Sequence, residues 1–173
     1  LHAILADATS TIDSITAAGD AAAFLGDVHA ESAAFTVSGH FAPTNAIDVG
    51  SLDVLPGANL VLGTLQASAQ DSAAGVTVHQ APLRNAGTVE LPVMATAQVA
   101  RVTGDYVQTA SGLLRTDVGD DTRFGRLVVS GTATLPAQAR IDVNVENPGY
   151  RFTQARLAGV LSAGNLDSNG CLL

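Results

Sequence analysis

From about residue 33 onwards, the chain consists of short β-type runs that Gly, Pro, Asn and Asp interrupt every few residues. Most runs alternate apolar with polar side chains, as a strand does when one face packs on a core and the other meets water. The breaks come too often for helices. The pattern therefore predicts an all-β fold. The predicted strands are 35–37, 47–49, 52–55, 60–62, 76–78, 88–91, 98–102, 126–129 and 140–145.

A loose internal repeat favours a solenoid over a sandwich or a barrel, which the strand pattern alone leaves open. An aliphatic–Ser/Thr–Gly signature recurs with its glycine at Gly39, Gly104 and Gly131. The first gap would hold about three coils of roughly 22 residues, and the second gap one coil with a small insertion. Coils of this length bury their apolar faces only against neighbouring coils. A β-solenoid is therefore the leading prediction.

The start of the chain gives a weaker signal. The first 30 residues are Ala-rich and combine a near-helical spacing of apolar residues with a strand-like stretch at 8–12, so their structure is left open. The chain begins with Leu1 instead of Met, and we expect a fragment or a processed chain.

Charge and composition exclude several classes of partner. The net charge is −8, and all eight positive charges are Arg, which argues against nucleic acid. No apolar run approaches the ~20 residues of a membrane-spanning helix, so we expect no membrane insertion by this segment. The single cysteine, Cys171, excludes an internal disulfide framework and a multi-cysteine metal site. With 4% aromatic residues, we expect a core of many small aliphatic side chains.

Motifs for catalysis or metal binding are absent from the sequence. The histidines at 2, 29, 40 and 79 show no His-x-x-His or His-Glu-x-x-His spacing, and there is no Gly-x-Ser-x-Gly elbow. We therefore expect no enzyme, no cofactor and no metal site.

One acidic turn, formed by Asp117, Asp120 and Asp121, admits two interpretations. Clustered carboxylates are the ligands that Ca²⁺ prefers, but a solvated turn is the favoured interpretation in an acidic protein. Arg123 and Arg126 lie close enough in sequence to neutralise the turn.

Four motifs follow one another in the second half of the chain. They are an Asn-Ala-Gly-Thr-Val strand at 85–89, a Gly-Asp-Tyr-Val-Gln strand at 104–108, a Gly-Leu-Leu strand at 112–114, and a Leu-Val-Val-Ser-Gly strand at 127–131. In this order they resemble the C-terminal passenger region of bacterial autotransporters of the pertactin-like family. The chain departs from the family at Arg126, where an acidic residue is common, and at 136–138, where relatives often have Gly-rich turns.

The resemblance implies a right-handed parallel β-helix of about six or seven coils. Under it, residues 1–32 are a fragment of upstream coils, 33–84 are β-helix coils, 85–160 are C-terminal coils with an autochaperone-like region, and 161–173 are a tail or the start of a linker. The resemblance also implies export through the periplasm and outer membrane of a Gram-negative bacterium. The partners would be an outer-membrane β-barrel and upstream passenger coils, both absent from this chain.

The implied function is that of a non-catalytic stalk, secreted or displayed at the cell surface, whose C-terminal coils promote folding and translocation. The residues expected to matter for folding and capping are Gly87, Gly104, Tyr106, Gly112, Leu127, Val129 and Gly131. One alternative is a host-binding virulence module on the same fold, an adhesin or an immune-evasion factor that contacts a host protein. Its candidate loops are 66–75 and 117–125. Another is an enzyme whose active domain lies upstream.

Overall fold

A computed structural model describes residues 14–18, 20–22, 28–43, 46–63, 75–93, 99–153 and 159–169. Within these ranges the secondary structure consists of strands without helices, which confirms the all-β prediction. The strands are β1 (Ser14–Ala17), β2 (Asp20–Ala22), β3 (Val28–Val37), β4 (His40–Phe41), β5 (Ile47–Val54), β6 (Asn59–Val61), β7 (Val76–Val78), β8 (Leu83–Asn85), β9 (Thr88–Leu91), β10 (Ala100–Thr103), β11 (Tyr106–Gln108), β12 (Leu113–Val118), β13 (Leu127–Thr134), β14 (Arg140–Val145) and β15 (Leu161–Asp167). The described part of the chain therefore holds no helix that is long and apolar enough to cross a membrane.

The strands form two sheets with parallel pairing throughout. In the first sheet, the strands pair in the order β1-β3-β5-β7-β10-β13, and β15 pairs with β13 at the end. Strands β8 and β11 form a second path between β5 and β13, since β8 pairs with β5, β11 pairs with β8, and β13 pairs with β11. The second sheet runs β2-β4-β6-β9-β12-β14. In both sheets the order in space follows the order along the chain. Parallel neighbours need a crossover connection, and here the connection between them passes through a strand of the opposite sheet. This arrangement is compatible with the expected β-helix.

The hydrophobic core lies between the two sheets. Inward side chains of successive strands stack in register, which suits the small aliphatic composition because each side chain covers the one on the next strand. Phe35 and Phe41, whose ring centroids are 5.3 Å apart, join the two sheets. Fully buried positions in register are Leu52, Leu83 and Tyr106 in the first sheet and Leu60, Val89 and Leu114 in the second.

Packing is looser at the two strands that end the sheets. On β14, the side chains of Val143 and Val145 are 51% and 38% exposed. The rings of Tyr150 and Phe152 pack edge to face at 4.9 Å.

The segment expected as a tail or linker, 161–173, contains β15, which pairs with β13 along most of its length.

Candidate functional site

A buried polar network lies where the first sheet turns towards the second. Tyr106 and Gln108 lie on the same face of β11, and both are buried. The Tyr106 hydroxyl donates to Oε1 of Gln108 and accepts from Nδ2 of Asn85, each at 3.1 Å. Burial raises the pKa of Tyr106 well above its ordinary value, and the hydrogen bond from Asn85 opposes this rise. Tyr106 is thus an internal residue and offers no aromatic surface for binding.

The same network ties side-chain amides to the backbone of the corner. Nδ2 of Asn85 also donates to the carbonyl of Leu113 at 3.0 Å. Nε2 of Gln108 donates to the carbonyls of Gly112 and Arg140, at 3.1 and 2.9 Å. The two amides and the phenol therefore connect β8, β11, β12 and β14. A buried polar group that loses its partner costs about 1–3 kcal/mol, so the network favours a single arrangement of this corner.

Two of the glycines expected to matter for folding lie at this corner, at points of close backbone approach. A Cβ at Gly112 would run into the carbonyl oxygen of Asn85, and a Cβ at Gly87 into the carbonyl oxygen of Leu55. The amide of Leu113 donates to the carbonyl of Gly87 at 2.8 Å, which joins the two glycines across neighbouring strands. No side chain fits at either position without movement of the backbone.

The other two glycines meet at a bend in the first sheet. Gly104 has a φ of +117°, a backbone conformation that residues with a side chain rarely adopt. The amide of Gly131 donates to the carbonyl of Gly104 at 2.9 Å. A Cβ at Gly131 would run into the carboxylate of Asp105, which accepts from the amide of Thr132 at 2.7 Å.

Leu127 and Val129 lie in the interior of the first sheet. Leu127 is 0% exposed and lies between Ala100 and Leu161 on the adjacent strands. Val129 is 1% exposed and lies between Val102 and Ala163. Any polar group introduced at either position would be removed from water.

The structure therefore sorts the seven selected residues into a corner, a bend and a core ladder, which adjoin one another. Their role in folding remains a prediction. Sequence reasoning missed Asn85 and Gln108 as members of the network. Asn85 is two residues before Gly87, and Gln108 is two residues after Tyr106, which would have indicated that they lie near the selected residues. Only the register of β8 and β11, however, places Asn85 and Gln108 opposite each other.

In the acidic turn, Asp120 is held by donors of its own loop. It accepts from the amide and hydroxyl of Thr122, both at 2.9 Å, and from the amide and Nε of Arg123, at 2.8 and 2.6 Å. The hydrogen bond from the Arg123 guanidinium is the largest cause that holds the pKa of Asp120 well below its usual range. The same bond raises the pKa of Arg123.

The other two carboxylates of the turn are buried and point to different partners. Asp117 accepts from Nδ2 of Asn144 at 2.9 Å. Asp121 accepts from the amide and hydroxyl of Thr153, at 2.8 and 2.6 Å. The interpretation as a simple solvated turn is therefore wrong for these two residues, which fasten the turn to the segments that follow. Among the described residues, the three carboxylates do not gather into a metal-ligand group.

The two candidate binding loops have different outcomes. Residues 66–74 of the first loop lie outside the described residues. In the second loop, 117–125, the ring of Phe124 is buried, and the guanidinium of Arg126 just beyond the loop stacks over it at 4.3 Å. The second loop is thus held by internal contacts on both its acidic and its apolar side chains.

Comparisons with known proteins give no assignment. No protein-family model matches the chain, and neither the curated proteins nor the solved structures that were searched yield a match.

Proposed function

We propose that the chain is a right-handed parallel β-helix of about six or seven coils from a secreted or surface-displayed autotransporter passenger. It acts as a non-catalytic stalk, and its C-terminal coils, 85–160, promote folding and outer-membrane translocation. The observation that carries the proposal is the strand order. In the second sheet, each strand pairs in parallel with the next strand of that sheet along the chain. In the first sheet, β5 pairs with both β7 and β8, these pair with β10 and β11, and both of the latter pair with β13, again all in parallel. Such a ladder offers every new coil a paired backbone and an apolar face.

The folding role of residues 85–160 is supported by their internal contacts. The network around Tyr106 ties four strands together, and at Gly87 and Gly112 the backbones approach so closely that an added Cβ would meet a carbonyl oxygen. Local structure of this kind forms a stable unit, because the hydrogen bonds of the Tyr106 hydroxyl and of the Asn85 and Gln108 amide nitrogens form only in the native arrangement. A stable unit at this end would present a preformed edge to the coils upstream.

The host-binding alternative has less support. Residues 66–74 of its first loop are outside the described residues, and the carboxylates of the second loop accept hydrogen bonds from the chain itself. We therefore favour the stalk.

A surface-display experiment tests the proposal with a matched pair of valines. The chain is placed between a signal peptide and an autotransporter barrel in a Gram-negative host, and protease-resistant protein at the surface is measured. V129D places an unpaired charge in the core ladder at a cost of several kcal/mol, whereas Val143 is 51% exposed and V143D keeps its charge in water. We expect the wild type and V143D to reach the surface folded and V129D to fail. Folded display of V129D, or failure of the wild type, would contradict the proposal.

A second variant pair tests which end stabilises the other. Val49 on β5 is 0% exposed and provides the upstream counterpart of Val129. After limited proteolysis of purified protein, we expect V49D to leave a resistant fragment within 85–160 and V129D to leave no resistant fragment. A resistant upstream fragment in V129D would reverse the direction of the dependence.

A further inference from the structure

The last strand of the second sheet, β14, leaves one edge open. Among the strands that the structure describes, β14 pairs only with β12. The amide of Glu146 donates to the carbonyl of Val118, so Glu146 points its backbone groups towards β12. On a parallel strand, the backbone groups of successive residues alternate between the two sides. The amides and carbonyls of Ile141, Val143 and Val145 therefore point away from β12, along the open edge.

The inward side chains of this edge are apolar and poorly covered. Ile141, Val143 and Val145 lie opposite three fully buried positions of β12. Val143 and Val145 are nevertheless 51% and 38% exposed, and Leu166 on β15, which ends the first sheet, is 41% exposed. Edges are commonly protected by a proline, a bulge or an inward charge. Strand β14 has no proline, pairs with β12 without a bulge and points its charged side chains outward, so its edge is free to pair.

The sequence of this edge is complementary to itself when one copy is read in reverse. Residues 140–146 are Arg-Ile-Asp-Val-Asn-Val-Glu, with Val143 at the centre. In an antiparallel pair centred there, Val143 lies opposite its own copy, and Ile141 lies opposite Val145 of the copy. These are the residues whose backbone groups point along the open edge, so each facing pair can exchange two hydrogen bonds. Apolar side chains then meet apolar side chains on the inward face.

Charge selects the same register. On the outer face, Arg140 lies opposite Glu146 of the copy, and Asp142 lies opposite Asn144. If the copy slides by two residues, Asp142 faces either Asp142 or Glu146 of the copy, depending on the direction. Like charges at facing positions are destabilising. The register centred on Val143 is therefore the one in which backbone, apolar side chains and charges agree.

We propose that the open edge of β14 binds a second copy of this chain, in a twofold symmetric dimer whose two β14 strands pair antiparallel around Val143. The twofold axis passes through the centre of the strand pair, so the second sheets of the two copies join into one continuous sheet. Such an assembly is closed, since one contact uses both open edges. The contact needs only the edge of β14 and is independent of the passenger assignment.

Sedimentation velocity of the whole chain over a range of concentrations tests the interface. At about 0.15 M salt, which screens the repulsion between two chains of net charge −8, we expect a reversible equilibrium between monomer and dimer. V143D places two carboxylates at the axis and should stay monomeric. The exposure of Val143 in the single chain allows this variant to fold, which circular dichroism checks.

Charge reversal tests the register. R140E and E146R should each weaken the dimer about tenfold, because each turns two pairs of opposite charges into pairs of like charges. The double variant R140E/E146R should recover the wild-type affinity. The two positions are about 20 Å apart along one strand, so recovery requires a second copy. R101E is the matched control and should leave the affinity unchanged, since Arg101 is exposed on β10 in the middle of the first sheet.

Residue-resolved hydrogen exchange locates the contact. The amides of Ile141, Val143 and Val145 should exchange rapidly in the monomer and slowly once the dimer forms. A chain that stays monomeric at every concentration overturns the proposal, and slow exchange of these amides in that monomer would show that another segment of the chain covers the edge. Growth beyond the dimer would indicate head-to-tail stacking and also overturns it. So does a V143D variant that dimerises like the wild type, or an R140E/E146R variant that binds no tighter than the single variants.

Discussion

Tyr106 shows how a single buried hydroxyl can determine the local arrangement of a chain with few aromatic residues. Its ring is 0% exposed, and its hydroxyl is bonded to two side-chain amides. Removal of the hydroxyl would leave Asn85 and Gln108 each with one hydrogen bond fewer in a dry environment. We expect Y106F to lower the free energy of unfolding by about 1–3 kcal/mol, measured by guanidinium denaturation. A neutral effect would mean that the network does not hold the corner.

The same hydroxyl predicts a loss of stability at alkaline pH. Burial raises the pKa of Tyr106 in the folded chain, while the unfolded chain keeps the ordinary value near 10. The folded state therefore holds its proton longer, so its contribution to stability is fully present below about pH 10 and falls as the pH rises above it. The chain has no Lys, which leaves few other groups that titrate there.

Denaturation at pH 8 and pH 11 measures this effect in three proteins. We expect a steep loss of stability in the wild type, a smaller loss in Y106F, and a wild-type loss in Y150F, which removes the other tyrosine. In Y150F, the absorbance of phenolate at 295 nm should appear only as the chain unfolds. A parallel decline of Y106F and wild type would refute the assignment to Tyr106.

Gly112 provides a second test at the residue scale. An added methyl group there would meet the carbonyl oxygen of Asn85, while at Gly149 it would meet nothing closer than Oδ1 of Asn147 at 3.5 Å. We expect G112A to destabilise the chain by about 1–3 kcal/mol and G149A to change stability by less than about 0.5 kcal/mol. The melting temperatures of the two variants give the comparison, and equal values would argue against close packing at the corner.

At the scale of elements, the alternation of apolar and polar residues, together with the breaks at Gly, Pro, Asn and Asp, sufficed to predict most strands. Each predicted run from 35–37 to 140–145 overlaps an observed strand. The two runs at 47–49 and 52–55 are one strand, β5, whose pairing with β3 shifts register at Gly50, where residues 31–33 of β3 form an irregularity. The sequence did not predict β15, whose Ser-Ala-Gly-Asn segment lacks large apolar residues and depends on pairing with β13.

Two buried leucines on different strands test the order in which elements form. Leu52 on β5 and Leu127 on β13 are both 0% exposed, and truncation of either to Ala should cost about 2–5 kcal/mol. If residues 85–160 fold first, L127A should mainly slow folding and L52A should mainly accelerate unfolding. Stopped-flow kinetics in guanidinium separates the two rates. The reverse assignment of rates would place the folding nucleus upstream.

At the scale of the whole molecule, the two sheets convert distant positions into neighbours. His29 and His79 approach the same carboxylate, and Asn85, Gln108 and Arg140 meet at one corner. Sequence patterns gave the inward and outward faces of the strands, which is why the core positions Leu127 and Val129 could be selected in advance. The strand register depends on the lengths of the connections, which vary along the chain. For this reason neither the contacts of His29 and His79 with Asp48 nor the buried network around Tyr106 could be located from spacing.

Pulsed hydrogen exchange during refolding tests the central claim most directly, because it records when each amide becomes protected. The chain is unfolded in guanidinium, diluted, labelled at increasing times and analysed by mass spectrometry. We predict that amides of β9 to β13 become protected before those of β3 to β6, since the C-terminal coils template the upstream ones. Simultaneous protection of all strands, or earlier protection of β3 to β6, would contradict a chaperone role for residues 85–160.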